Sequence, residues 1–213
     1  MVNNIIGIGG KLASGKDAIS DHLVEKHGWV KLGMSDALAE ALYILDPYVP
    51  IHLPDPKTET GLKGMLSRFL DRKKRTVEIA DFQRYSDLFD EVGYVEAKTN
   101  EEVRRLLQKL GTEVGRKIIS ESVWTDIVVR RAKEAAKTAP GVIITGIRYP
   151  NELDMITDEL EGELWWVVRP SLQAGANSEH SSENSVRETD FDRTIRNDGT
   201  LEDLYRKVDH IIA

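Results

Sequence analysis

An α/β fold with a parallel sheet is predicted by three features of the 213-residue chain. Short apolar runs end in glycine or proline, helical periodicity fills the gaps between them, and a glycine-rich turn joins the first run to the first helix. Parallel neighbours need long crossovers, and the helices that supply them then cover both faces of the sheet.

The elements follow in order. Asn4 to Ile8 is an apolar run entering Gly9-Gly10, as a buried strand would. Lys16 to Lys26 places Ile19, Leu23 and Val24 on one face and meets a C-terminal cap at Gly28. Trp29 to Met34 reads as a second strand, and Ser35 would cap the helix Asp36 to Leu45, which stops before Pro47. Tyr48 to Lys57, with Pro50, Pro54 and Pro56, reads as a loop, and Leu62 to Asp90 as a polar helical stretch. Arg72-Lys73-Lys74-Arg75 within it reads as a solvated helix face. Helices are expected over Glu101 to Ser120 and Trp124 to Lys137, broken by Pro140-Gly141 before a third strand, Val142 to Thr145. A short helix, Glu152 to Leu160, precedes a fourth strand, Glu163 to Val168. Ser171 to Asp190 reads as a polar loop, Arg193 to Arg196 as a fifth strand, and Leu201 to Ile212 as a closing helix.

The gap between the second and third strands is too long for one crossover. It predicts a core over 1–47 and 138–213 and a mostly helical insertion over 48–137 at the sheet's C-terminal edge, where such folds bind ligands. The absence of cysteine excludes thiol nucleophiles, disulfide scaffolds and Cys-ligated metal sites. A net charge of −7, from 29 basic and 36 acidic residues, argues against polymeric nucleic acid as a partner. Small anions are still admissible, because a few cations and backbone N–H groups hold a nucleotide on an acidic protein. No apolar stretch approaches the roughly 20 residues that span a bilayer, and the first residues lack a basic leader segment. A cytoplasmic protein without a membrane partner is expected.

Gly10-Lys11-Leu12-Ala13-Ser14-Gly15-Lys16-Asp17 matches the phosphate-binding loop G-x-x-x-x-G-K-[ST] at every fixed position but the last. A strand precedes it and a helix follows, so successive backbone N–H groups and the helix N-terminus converge on an anion. Lys16 would reach the β- and γ-phosphates of ATP, while Gly10 and Gly15 permit close backbone approach. Asp17 replaces the hydroxyl residue that usually donates to Mg²⁺. A carboxylate is a hard ligand for that ion, and Lys11 and Lys16 would offset its charge, so Asp17 is placed close to the metal. A metal-organising Asp is expected at the end of the third strand, where Gly146 stands instead, leaving Asp36 as the nearest alternative acid.

Further stretches accompany this loop: Arg84-Tyr85-Ser86-Asp87 running to Gly93-Tyr94-Val95-Glu96-Ala97-Lys98, and Arg105 to Arg116 with its LQ-LGTE-GR pattern. Trp124, Arg148-Tyr149-Pro150-Asn151-Glu152, His180-Ser181-Ser182-Glu183 and Asn197-Asp198-Gly199-Thr200 follow. With these residues the chain resembles the bacteriophage-type deoxynucleoside monophosphate kinases of the P-loop nucleotide-kinase superfamily. The family usually has an Asp two residues before the arginine matching Arg148, and Gly146 departs from that. The stretch Ile51 to Thr76 matches nothing in it.

The resemblance implies a P-loop kinase fold: a five-stranded parallel sheet flanked by helices, with a helical acceptor-binding insertion. It implies Mg²⁺-assisted transfer of the γ-phosphoryl group of ATP to a deoxynucleoside monophosphate, in the host cytoplasm if the chain is phage-encoded. Gly10, Lys11, Ala13, Ser14, Gly15, Lys16 and Asp17 would hold ATP, with the Asn197 to Gly199 turn near its adenine. Lys16, Asp17 and Arg148 would be catalytic. Arg148 either stabilises charge on the transferring group or pairs with Glu152 at i+4. Arg105, Gln108, Thr112 and Arg116 would face the acceptor. Asp36 would accept from its sugar or base, or else assist helix capping, and Trp124 would stack on the base or fill the core. His180 and Glu183 would form a lid or phosphate contact, or a solvated loop.

Related enzymes are often dimeric, so a homodimer is a candidate assembly, with 51–76 as a candidate interface. Two other readings share the loop. One is a dephospho-coenzyme A or phosphomevalonate kinase relative, and the other a nucleotide-binding protein that has lost turnover, the latter favoured by Gly146.

Overall fold

A computed structural model describes residues 4–51, 81–171 and 185–213. His180, Glu183, the Arg72 to Arg75 run and most of the Leu62 to Asp90 and Ser171 to Asp190 stretches lie outside the described residues. The chain divides into two compact units, 1–38 with 112–213 and 39–111.

The first unit is built on five parallel strands: β1 (Ile5–Gly10), β2 (Val30–Gly33), β5 (Val142–Thr145), β6 (Glu163–Val168) and β7 (Arg193–Arg196). They lie in the order β2-β5-β1-β6-β7, with Ile5 opposite Val142 and Ile6 opposite Glu163. The chain therefore leaves β1 toward one edge and later crosses it toward the other. Such a reversal of strand order opens a crevice at the carboxyl ends of the central strands.

Alternation along the strands divides the core in two. Ile6, Ile8, Ile143, Trp165, Val167 and Ile195 cluster with Ile19 and Leu23 of α1 (Lys16–His27) and with Leu204 and Val208 of α7 (Leu201–Ile212). Ile5, Val142, Ile144 and Leu164 cluster with Val128, Val129 and Ala132 of α5 (Val123–Ala135) and with Met155 and Ile156 of a π-helical turn, Met155–Glu159. That turn continues α6 (Pro150–Asp154), whose first position is proline, as suits a helix start. Gly7 is glycine because space is short: a Cβ there would stand 2.7 Å from Ile147 Cδ1 and 2.9 Å from Ile156 Cγ1 and Leu164 Cδ2. Both tryptophans of β6 are buried in the sheet.

Helix ends follow local chemistry. Gly28 closes α1 at φ +70, its N–H donating to Val24 O. Thr200 Oγ1 accepts from Asp203 N at 3.2 Å while Asp203 Oδ2 accepts from Thr200 N at 3.0 Å, a reciprocal cap on α7.

The second unit holds most of α2 (Asp36–Leu45) and an antiparallel pair, β3 (Tyr48–Pro50) with β4 (Phe82–Arg84). It also holds α3 (Tyr85–Ala97), which kinks at Gly93, and α4 (Glu101–Gln108). Tyr48 to Pro50 is thus a short strand where the prolines suggested a loop. Pro50 is tolerated because a two-stranded ladder is all edge. Asn100 caps α4, accepting from Glu102 N at 3.0 Å, and also donates to Pro50 O at 2.7 Å. Around buried Tyr85, the rings of Tyr43, Phe89 and Tyr94 form an aromatic cluster. Burial pushes the Tyr85 hydroxyl up to about 12.

The units divide the chain at other points than the expected 48–137 insertion. The helix Val123–Ala135 belongs with the sheet, because Val128, Val129 and Ala132 form one core with β5. The stretch expected as one helix from Glu101 to Ser120 changes to π-helical turns over Lys109–Ile119, and the unit boundary falls within them.

Candidate phosphate-binding site

The loop between β1 and α1 turns on three left-handed residues, Gly10 (φ +147), Ala13 (φ +59) and Gly15 (φ +107). A Cβ at Gly10 would stand 2.6 Å from Val167 O, and one at Gly15 would stand 2.6 Å from Asn197 Nδ2, so both glycines are required. Ser14 N donates to Lys11 O at 3.2 Å, closing the loop on itself. Lys16 Nζ reaches back to the same carbonyl at 3.2 Å, which holds the ammonium across the loop. Ser14 is buried, and its hydroxyl has no hydrogen-bond partner among the described residues. Lys11 and Ala13 are exposed on the crest.

Asn197, at the carboxyl end of β7, does not display its side chain toward solvent. It is buried, and Nδ2 donates to Ser14 O at 2.9 Å, tying the strand end to the loop. Beyond it Asp198 and Gly199 are exposed beside a groove of about 480 Å³ lined also by Asp203, Arg206, Lys207 and His210. The charges in this groove pair internally, Lys207 with Asp198 at 2.7 Å and Arg206 with Asp203 at 2.6 Å.

Asp17 and Asp36, the acids the sequence offered for a metal, both lie among the described residues. Asp17 is exposed in the first turn of α1 and makes no hydrogen bond or ion pair with a described residue. Asp36 turns back onto the end of β2, where Oδ2 accepts from Gly33 N at 2.6 Å, so part of its carboxylate serves the turn. At the end of β5, Gly146 adopts φ +83, a conformation L side chains rarely take. That backbone accounts for glycine where an acid was expected.

A second cluster forms where β5 runs into α6. Glu152 is buried, and its Oε2 accepts from Arg148 N at 2.6 Å and Tyr149 N at 3.2 Å. Its Oε1 accepts from Arg116 Nη2 at 3.3 Å, and the Arg116 guanidinium lies 4.4 Å over the Tyr149 ring. Burial raises the Glu152 carboxyl above its ordinary value, against the opposing pull of the two amides and of Arg116 and Arg148. The side-chain pair of Arg148 with Glu152 that the sequence offered as an alternative is replaced by a backbone contact. Tyr149 is extended (φ −124, ψ 150), so Arg148 precedes the helix and is not on its face. The Arg148 side chain is exposed, and its guanidinium makes no bond to a described residue.

The remaining candidates divide between the units. Thr112 is exposed, and Trp124 is half-buried with its indole against Gly115, where a Cβ would come within 2.6 Å of Nε1. In the second unit Gln108 is exposed, and Arg105 forms a two-pronged pair with Glu102, with Nε at 2.6 Å from Oε2. Tyr149 as the ring under Arg116, and Asn197 as the prop of the loop, carry no local sequence signal. Only the motif stretches containing them pointed to the region.

A parallel sheet in this order, with a glycine-rich loop between its central strand and the next helix, is a P-loop kinase fold. The family model for deoxynucleotide monophosphate kinases matches residues 58–208, and the chain belongs to that family. It is 32% identical over 88 residues to the deoxynucleoside-5'-monophosphate kinase of Escherichia phage T5, a match covering 39% of this chain. The chain spans 34% of the length of that relative. Among solved structures, a dephospho-CoA kinase from Campylobacter jejuni overlaps all of the chain with 97% of its own (TM-score 0.47, 13% identity). A Thermus thermophilus protein does so with the same coverage (TM-score 0.46, 18% identity). Among the described residues no helix is long and apolar enough to cross a membrane.

Proposed function

We propose that the protein transfers the γ-phosphoryl group of ATP to a deoxynucleoside monophosphate, giving the diphosphate and ADP. The observation that carries this reading is the loop Gly10 to Gly15, which opens the N-terminus of α1 and keeps the Lys16 ammonium across its mouth. Backbone N–H groups at a helix start favour an anion, and an arriving phosphate would replace Lys11 O as the acceptor for Lys16. Exposed Lys11, Ala13 and Asp17 and half-buried Lys16 would line the ATP side, and Asn197 would hold the loop in shape from beneath.

Because the acceptor is already a phosphate, no strong general base is needed. Positioning and charge neutralisation carry most of the rate. Arg148, unpaired among the described residues and fixed through its backbone by Glu152, is suited to meet charge that develops on the transferring group. Arg116 is held by Glu152 and Tyr149 and would bind the acceptor phosphate. Thr112, Trp124, Arg105, Gln108 and Asp36 are assigned to the acceptor on family grounds, and for Arg105 that role requires release from Glu102.

Mg²⁺ suits the donors present. Asp17 and Asp36 are hard oxygen ligands, and this ion takes one or two carboxylates together with substrate phosphates and water. When bound it would neutralise charge between the two anions.

ADP release measured by a coupled assay across the four dNMPs, the matching NMPs and dephospho-coenzyme A tests the proposal, with Lys16→Ala as the blank. Turnover with at least one dNMP, lost in the blank, is expected. Faster turnover with dephospho-coenzyme A, or ATP binding with no transfer to any nucleotide, would overturn it. Light scattering in the same buffer tests the homodimer, and polymeric nucleic acid is left out of the partners on the acidic balance.

A further inference from the structure

Away from the phosphate loop, two histidines of α1 converge on one carboxylate of α7. His22 Nε2 is 2.8 Å and His27 Nε2 2.7 Å from the same oxygen, Asp209 Oδ1. The three ligand atoms lie within 4.8 Å of one another, the one such group of His, Asp and Glu side chains among the described residues. Nothing in the proposed phosphoryl transfer uses these residues, the two histidines of which follow the first turn of α1 that borders the loop.

We propose that His22, His27 and Asp209 form a binding site for a borderline transition-metal ion, Zn²⁺ above all, that ties the helix following the phosphate loop to the C-terminal helix. Two imidazole nitrogens and one carboxylate oxygen are the donor set of open zinc sites, where water completes the tetrahedron. The geometry is close to what the ion needs. Ligand atoms about 2.1 Å from a tetrahedral ion stand about 3.4 Å apart, so the rings must retreat from Asp209 by only about 0.6 Å.

The surroundings hold the ligands in place. The His22 ring stacks flat on Tyr205, with centroids 4.1 Å apart and planes 2° from parallel, and meets His27 edge-on at 5.6 Å. Lys26 Nζ binds the other carboxylate oxygen at 2.7 Å, leaving Oδ1 to the histidines, as an outer partner of a ligating carboxylate does. The His27 and Asp209 side chains are about a quarter exposed, which gives an ion entry and room for its water.

The protons balance. A neutral ring that offers its Nε2–H to Asp209 would pass that proton through water to Nδ1 on metal binding, freeing the Nε2 lone pair, and a protonated ring would release one proton to solvent. No net proton is released from neutral rings.

The experiment uses the full chain without an affinity tag, stripped with EDTA and then titrated with Zn²⁺ by calorimetry in excess Mg²⁺, which occupies hard-oxygen sites. Thermal melting and Co²⁺ absorption run in parallel. One Zn²⁺ per chain, a rise in Tm of several degrees and an intense visible Co²⁺ band are expected. His27→Gln, whose fold is checked by circular dichroism, should lose affinity at least tenfold together with the Tm shift. His210→Gln, at the exposed neighbour of Asp209, should keep both. Absence of saturable binding at about 50-fold excess Zn²⁺, or binding that survives His27→Gln, would overturn the proposal. In that case the three residues serve only as a hydrogen-bonded clasp.

Discussion

The side-chain amide of Asn197 donates to the carbonyl oxygen of Ser14 at 2.9 Å, and the same nitrogen occupies the space a Cβ on Gly15 would need, 2.6 Å away. The end of β7 therefore acts as the floor of the phosphate loop. Asn197→Ala leaves a buried carbonyl without its donor, a loss of about 1–3 kcal/mol. Urea unfolding should show that loss, and the loosened loop should weaken ATP binding. An ATP Kd within twofold of wild type would mean that the loop keeps its shape without this prop.

Arg148→Ala separates side chain from backbone. The N–H that binds Glu152 survives the substitution, and the exposed guanidinium has no described partner, so stability should change by no more than about 0.5 kcal/mol. Turnover should fall by about 10³-fold, the low end for an arginine that meets phosphoryl-transfer charge. Steady-state kinetics beside a melting curve checks both halves, and a variant that is unstable yet active reverses the assignment.

Glu152 is where pH enters. Burial raises its folded pKa, against the amides of Arg148 and Tyr149 and the charges of Arg116 and Arg148. A carboxyl raised on folding contributes stability that is fully present below its unfolded value and lost as pH rises through its folded one. Glu152→Gln cannot titrate and also weakens the contact to Arg116, a loss of about 1–3 kcal/mol. Wild type should exceed the variant most near the ordinary value of 4.5 and progressively less as pH rises above it. A gap that widens with rising pH in denaturant titrations contradicts this sign.

Gly7→Ala tests the space between β1 and its covering turn. The new methyl would press on Ile147, Ile156 and Leu164 at under 3 Å, an overpacking worth about 1–3 kcal/mol. Chemical denaturation should report that loss with the denaturant slope unchanged.

Much of the sheet was legible because its strands are short apolar runs with strong boundaries. Ile5 to Gly10 and Val142 to Thr145 needed no tertiary information to be placed. The β3–β4 pair was not legible, since Pro50 reads as a breaker and its partner Phe82 lies far along the chain. The loop's glycines and Lys16 were readable from spacing. The Glu152 cluster was only half readable, because an i+4 rule holds inside a helix and Arg148 precedes one. Its true partner, Arg116, is 36 residues away on a π-helical segment no periodicity announces.

The packing of Trp124 against Gly115 has an optical consequence. Of the four tryptophans, Trp165 and Trp166 are buried in the sheet and Trp29 in the core just before β2, while Trp124 alone is partly open to water. A diffusing quencher such as acrylamide will therefore sample chiefly this indole, and the protein carries an intrinsic fluorescent reporter beside the turns that hold Thr112 and Arg116. The light it emits speaks for one neighbourhood, with the other three fluorophores as a constant background.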